Sequence, residues 1–182
     1  MGSLCYCLGV MTKSAAKRKE IADKIADFIL AEGLLAANLR PLASAAGLSD
    51  RMLLYYFKDK EDVITSGMAR VMERLGSHLL ALAEGGPRPY KDLEASLLKV
   101  TLSGELWPYM CVWLETAALA ARGDPIFRRL GGEIAQGFQS WIAAMLLHDQ
   151  DGPQDAAAER LLRTIEGTIV LSGVGFISSF AP

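Results

Sequence analysis

The stretch NLRPLASAAGLSDRMLLYYFKDK, from Asn38 to Lys60, decides the fold. It reads as two short helices joined by a tight turn. Asn38 is an N-cap. Pro41 falls in the first helical turn, where its missing N–H leaves no bond unmade. Leu42, Ala43 and Ala46 supply a packing face, Gly47 permits the turn, and Leu48 fills the angle between the helices. Ser49 or Asp50 caps the second helix, on which Leu53 and Phe57, one turn apart, face inward. A helix pair of this kind can lay its second helix in a major groove of DNA.

Helical spacing continues on both sides of this pair, and no strand pattern is found, so the chain reads as all-α. Upstream, a first helix runs from about Ser14 to Ala31, with Ile21, Ile25, Phe28 and Ile29 on one face and Gly33 at its stop. Lys13, Lys17, Arg18 and Lys19 crowd its beginning against the helix dipole; phosphate contact and a solvated helix start both account for them. Downstream, Asp59 caps a long helix, with Asp62 at its third position in a capping-box-like arrangement. Its stripe is Ile64, Met68, Val71, Met72, Leu75, Leu79 and Leu82, ending at Gly85-Gly86-Pro87. Further helices cover about Tyr90–Ser103, Pro108–Ala121, Pro125–Leu147 and Asp155–Gly173, with the polar turn HDQDGPQD before the last. The final two carry apolar stripes: Leu130, Ile134, Phe138, Trp141, Ile142 and Met145 on one, Leu161, Ile165, Ile169 and Phe176 on the other. Gly131, Gly132, Gly137, Gly167 and Gly173 weaken both intrinsically and let a neighbouring helix approach closely.

Half of the 182 residues are apolar (51%), which is rich for a chain of this size and predicts extra buried surface, from a ligand cavity, a subunit interface or both. Residues 11–60 carry nine Lys/Arg against six Asp/Glu, whereas residues 61–182 carry ten against fifteen. A basic head on an acidic body suits a polyanion-binding end. Three cysteines are too few for a disulfide framework. Cys5 and Cys7 have no second pair to complete a zinc site, and Cys111 reads as a core thiol. No metal and no cofactor are expected. No apolar run is long enough to span a membrane, and residues 1–10 lack the basic start and cleavage site of a signal peptide. They read as a flexible extension, and the chain as cytoplasmic.

The residues of the pair and its flanks resemble the TetR family of transcriptional regulators. IADKIADFILAEG, from Ile21, resembles the family's first helix, and LRPLASAAGLS its second helix and turn. LLYYFKDKEDV resembles its signature, with Leu53, Tyr56, Phe57, Lys60 and Glu61 matching. The pattern covers about 50 residues of this chain. Leu54 stands where the family usually has a phosphate-contacting Tyr, and Arg51 where a small residue is common.

The resemblance implies an N-terminal three-helix helix-turn-helix DNA-binding domain (residues 11–60) and a C-terminal helical bundle (residues 61–182) for ligand binding and dimerisation. Arg51, Met52 and Tyr55 would read base edges of double-stranded DNA. Arg40, Ser49, Tyr56, Lys58 and Lys60 would hold the helix pair on the duplex, mainly through the backbone. For Tyr56, packing against the first helix competes with that role. Met68, Met72, Trp107, Met110, Trp113 and Phe138 are candidates to line an apolar effector pocket, and each also suits an ordinary core. Glu105 and Glu115 are the acidic residues among them that suit a cationic ligand. A homodimer through the last two helices is the expected assembly.

The expected function is a repressor released from a palindromic operator by a small hydrophobic or aromatic effector. A helical small-molecule-binding or interaction module without DNA binding is the alternative, to which Leu54 lends some support. Catalysis is not expected. The chain has two histidines, His78 and His148, no Gly-rich phosphate loop and no nucleophile–base pattern. His148 reads as a charge at a helix end.

Overall fold

The computed structural model describes residues 3–147 and 154–176. They form eight helices: α1 (Ser3–Glu32), α2 (Leu39–Ala45), α3 (Asp50–Tyr56), α4 (Lys60–Ala83), α5 (Tyr90–Thr101), α6 (Trp107–Ala121), α7 (Pro125–Met145) and α8 (Gln154–Gly173). Among the described residues there is no strand, only an isolated bridge between Arg88 and Leu146. The all-α expectation holds. The chain divides into two compact units, Met1–Arg74 and Leu75–Pro182, and α4 contributes residues to both.

In the first unit, Ile21, Ile25 and Ile29 of α1 are fully buried, as their spacing requires, together with Leu42, Leu53, Phe57, Val63 and Met68. Gly67 of α4 lies against α1 so closely that a Cβ there would sit 2.5 Å from Ile25 Cγ2. Among the described residues, cross-helix ion pairs join α1 to α4, including a 3.6 Å approach of Arg74 to Asp23. Arg18 meets Asp62 at 2.6 Å, Arg70 meets Asp23 at 2.6 Å, and Arg74 meets Asp27 at 2.6 Å. The Arg18 guanidinium also sits 4.9 Å above the Phe57 ring.

In the second unit, α6 packs on α7, α7 on α8 and α5 on α8. Leu93, Leu97, Met110, Ile142, Leu146, Leu161, Ile165 and Ile169 form its buried centre. Asp124 caps α7, its Oδ1 accepting from the backbone N–H groups of Ile126 and Phe127. Pro125 follows at the first helical position, where it costs no bond. Arg88 secures the α4–α5 connection. Its backbone N–H donates to the Met145 carbonyl, its carbonyl accepts from the Leu147 N–H, and its guanidinium donates to the Leu82 carbonyl.

Several expectations need correction. Helix α1 begins at Ser3 rather than near Ser14; residues 3–14 contain no proline to stop a helix. Phe176 is not part of the α8 stripe: the helix ends at Gly173, and Phe176 is 76% exposed. Of the five glycines expected at close helix contacts, Gly173 has a tight one, 3.2 Å from Leu114 Cδ1, and Gly131 an ordinary one to Thr116. A Cβ added at Gly132, Gly137 or Gly167 would meet nothing within 4 Å among the described residues. His148 and most of the polar turn before α8 lie outside the described residues.

Candidate nucleic-acid interface

Local sequence builds the helix pair as the pattern requires. Gly47 has φ +71°, a left-handed conformation that glycine adopts without strain. Its neighbour Leu48 donates to the Ala43 carbonyl and closes the turn. Ser49 is the N-cap of α3, and its side-chain oxygen accepts from the Met52 N–H at 3.3 Å. Leu53 and Phe57 are buried, which fixes which face of α3 is left outside. That face carries Arg51, Met52, Leu54 and Tyr55, all exposed. Tyr55 is 76% exposed, more than Met52 or Leu54. Its ring meets the half-buried Tyr56 ring edge-on at 5.2 Å.

Asn38 occupies the N-cap position of α2, but its side chain does not cap that helix. Its Oδ1 accepts from Lys60 Nζ at 2.9 Å instead. The expected cap is therefore replaced by a tie from the start of α2 to the start of α4. At α4, Asp59 accepts from the Asp62 N–H, as expected of a cap. Asp62 returns its bond to the Lys58 N–H rather than to Asp59, so the capping box is shifted by one residue.

The same Asp62 explains part of the basic cluster, which lies in the middle of α1 and not at its start. Arg18 donates to Asp62 and to Ser66 Oγ, and Lys17 pairs with Glu20, whose carboxyl is held below its ordinary pKa mainly by the Lys17 hydrogen bond. Both cations thus have partners within the chain. Spacing alone missed this, because Arg18 and Asp62 lie 44 residues apart.

The proposed DNA-contacting residues therefore gather around the helix pair. Arg40, Ser49, Arg51, Met52, Tyr55, Lys58 and Lys60 are all exposed. Lys58 has only a loose approach, 4.0 Å, to Asp59, whereas Lys60 is engaged by Asn38.

The effector candidates are divided between the two units. Met68 is buried in the first unit, and the half-buried Met72 belongs to it as well. Trp107, Met110 and Phe138 pack in or against the centre of the second unit. Trp113 Nε1 donates to Glu166 of α8, a contact the sequence did not reveal. Burial raises the Glu166 carboxyl above its ordinary pKa, and the Trp113 hydrogen bond opposes that rise. Glu105 is 75% exposed and lies 3.5 Å from His78 Nδ1. No group of metal-ligating side chains exists among the described residues, and no described helix is long and apolar enough to cross a membrane.

No family model matches this chain. Over 155 residues it is 29% identical to the HTH-type transcriptional regulator PksA of Bacillus subtilis (strain 168), a match that covers 83% of this chain and 76% of that protein. Its fold is that of a TetR-family transcriptional regulator from Rhodococcus sp., with a TM-score of 0.71 at 21% identity, covering 90% of each chain. A transcriptional regulator from Saccharomonospora viridis in complex with choline superposes with a TM-score of 0.67 at 21% identity, covering 90% of this chain and 88% of that one. These relatives are transcriptional regulators rather than enzymes, the class that the sequence resemblance implies.

Proposed function

We propose that this chain, which carries the TetR-family fold, is a DNA-binding transcriptional regulator of that family. The observation that supports this most is the face of α3. Its inner residues, Leu53 and Phe57, are buried, and it offers Arg51, Met52 and Tyr55 outward behind a capped N-terminus. Arg51 is suited to a bidentate pair with a guanine, worth about 1–3 kcal/mol of discrimination. Arg40, Tyr56, Lys58 and Lys60 suit backbone contacts that give register rather than sequence. Residues 11–60 would serve as the DNA-binding domain and residues 61–182 as the ligand-binding and dimerisation domain of a cytoplasmic protein.

The regulator is a homodimer through α7 and α8 in this reading. The open glycines Gly132, Gly137 and Gly167 support it, as do the exposed Val170, Leu171 and Val174 on or next to α8. It acts as a repressor released by a small hydrophobic or aromatic effector, which favours a dimer state whose α3 helices no longer match grooves about 34–36 Å apart. A cationic effector is consistent with the half-buried Glu166 beside Trp113, and a structural neighbour was solved in complex with choline.

Selection of bound DNA from a random pool tests the reading: a palindromic site with half-sites one helical turn apart is expected, and no enrichment refutes it. On the selected site, Arg51→Ala relaxes preference at one base pair, whereas Lys60→Ala weakens binding to every sequence and flattens the salt dependence. Equal, sequence-independent losses for both variants refute the assignment. A thermal-shift screen of lipophilic and quaternary-ammonium compounds tests the effector, and no stabilisation by any of them counts against it.

A further inference from the structure

The outward face of α3 is unusual for a surface meant to meet a polyanion. At about 100° per residue, Tyr55 stands at its middle, with Arg51 and Leu54 to one side and Met52 to the other. Arg51 is the sole cation in the helix sequence DRMLLYY. Met52 and Leu54 are each 42% exposed. Leu53 and Phe57 already fill the inner side, so neither exposed side chain is needed to hold the helix in place. Basic residues stand at the margins instead, at Arg40, Lys58 and Lys60. They bring the duplex in by charge, and what then faces the base edges is largely apolar. In the major groove the apolar group on offer is the thymine 5-methyl.

We propose that Met52 and Leu54 read thymine 5-methyl groups, one on each side of Tyr55, next to the base pair read by Arg51. This rests on the DNA-binding function proposed above and specifies the chemistry of the site it recognises: each half-site holds thymines whose methyl groups, rather than their hydrogen-bonding edges, are selected. Contact with a methyl removes apolar surface of both partners from water. The loss of one such methyl corresponds to about fourfold in affinity.

The test uses the full chain and the site obtained by selection from a random pool. Each thymine is replaced in turn by deoxyuridine, which deletes the methyl and leaves base pairing and the O4 acceptor intact. Affinity is expected to fall about fourfold at two positions of each half-site. In Met52→Ala the penalty at one of these positions disappears, and in Leu54→Ala the penalty at the other; both residues are exposed, and an unchanged thermal melt confirms that the variants fold. 5-Methylcytosine at those positions, paired with guanine, recovers part of the binding that cytosine loses. Deoxyuridine tolerated at every position overturns the inference while leaving DNA binding intact. So does a penalty that persists in both variants, which places the methyl contact on other residues. If no sequence is enriched from the pool, the DNA-binding reading itself falls, and this inference with it.

Discussion

The two units are held by different means. The first joins α1 to α4 through charged ties, among them Arg18–Asp62, Arg70–Asp23 and Arg74–Asp27, laid beside an aliphatic core. The second closes around leucine, isoleucine and aromatic side chains, and its main side-chain tie between helices is the Trp113–Glu166 hydrogen bond. Partly exposed ion pairs contribute only about 0–1 kcal/mol each, so the ties of the first unit do little for its stability. Their directionality specifies how α1 and α4 sit against each other, which the proposed reading of base edges by α3 would require. An apolar interior carries no such directional contacts and would suit the adaptation to a ligand that the proposed function asks of the second unit.

The largest effects that separate the units come from their cores. Phe57→Ala removes a 2%-exposed ring that also carries Arg18, and is expected to cost about 3–5 kcal/mol. Ile165→Ala, at a fully buried position of the second unit, is expected to cost about 2–5 kcal/mol. Calorimetry gives the stability and a DNA titration the consequence. Phe57→Ala should reduce DNA affinity far more per kcal/mol lost. Equal losses per kcal/mol would break the division of labour between the units.

Next in size are the glycines. Gly67→Ala drives a methyl against Ile25 Cγ2 and within 3.1 Å of Ile29 Cδ1, and overpacking of this kind costs about 1–3 kcal/mol. Gly132→Ala meets nothing within 4 Å among the described residues and should gain about 0.5–1 kcal/mol in helix propensity. Thermal melts of both variants decide this. A gain at Gly67 would remove the close approach of α1 and α4. If Gly132→Ala melts lower at high protein concentration but higher at low concentration, that glycine is packed in a dimer and the α7–α8 interface is sharpened.

What the sequence made legible follows the same division. Apart from the Asn38 cap, the α2–α3 pair is legible in the sequence because its determinants are local: Gly47 for the turn, Ser49 for the cap, and Leu53 and Phe57 four residues apart on one face. The Asn38–Lys60, Arg18–Asp62 and Trp113–Glu166 contacts were not read, because each joins residues more than 20 positions apart and any of several nearby charges would fit the same spacing. Stripes such as Leu161, Ile165 and Ile169 gave the buried face of α8, but hydrophobicity alone also drew in Phe176, which lies past the helix end and is exposed. The candidate effector residues were legible as types, since Met and aromatic side chains suit both a core and a cavity. Their division between two units was not, because the compact first unit reaches to Arg74.

The smallest expected effect tests whether the polar tie of the second unit is a burden at neutral pH. Desolvation raises the folded-state pKa of Glu166 above its ordinary value, so the folded protein holds this proton to higher pH than the unfolded chain does. Stability therefore falls as pH rises from the ordinary carboxylate range through the folded pKa, and above that range burying the carboxylate is a cost. Glu166→Gln keeps an acceptor for Trp113 Nε1 and removes the charge. It is expected to melt higher than the parent protein at pH 7, with the difference shrinking as the pH is lowered through the range in which Glu166 takes up its proton. A difference that stays constant with pH would mean that the carboxylate is solvated in the folded state. A lower melt at neutral pH would mean that its charge has a favourable partner, and would make the contrast with the charge-tied first unit much weaker.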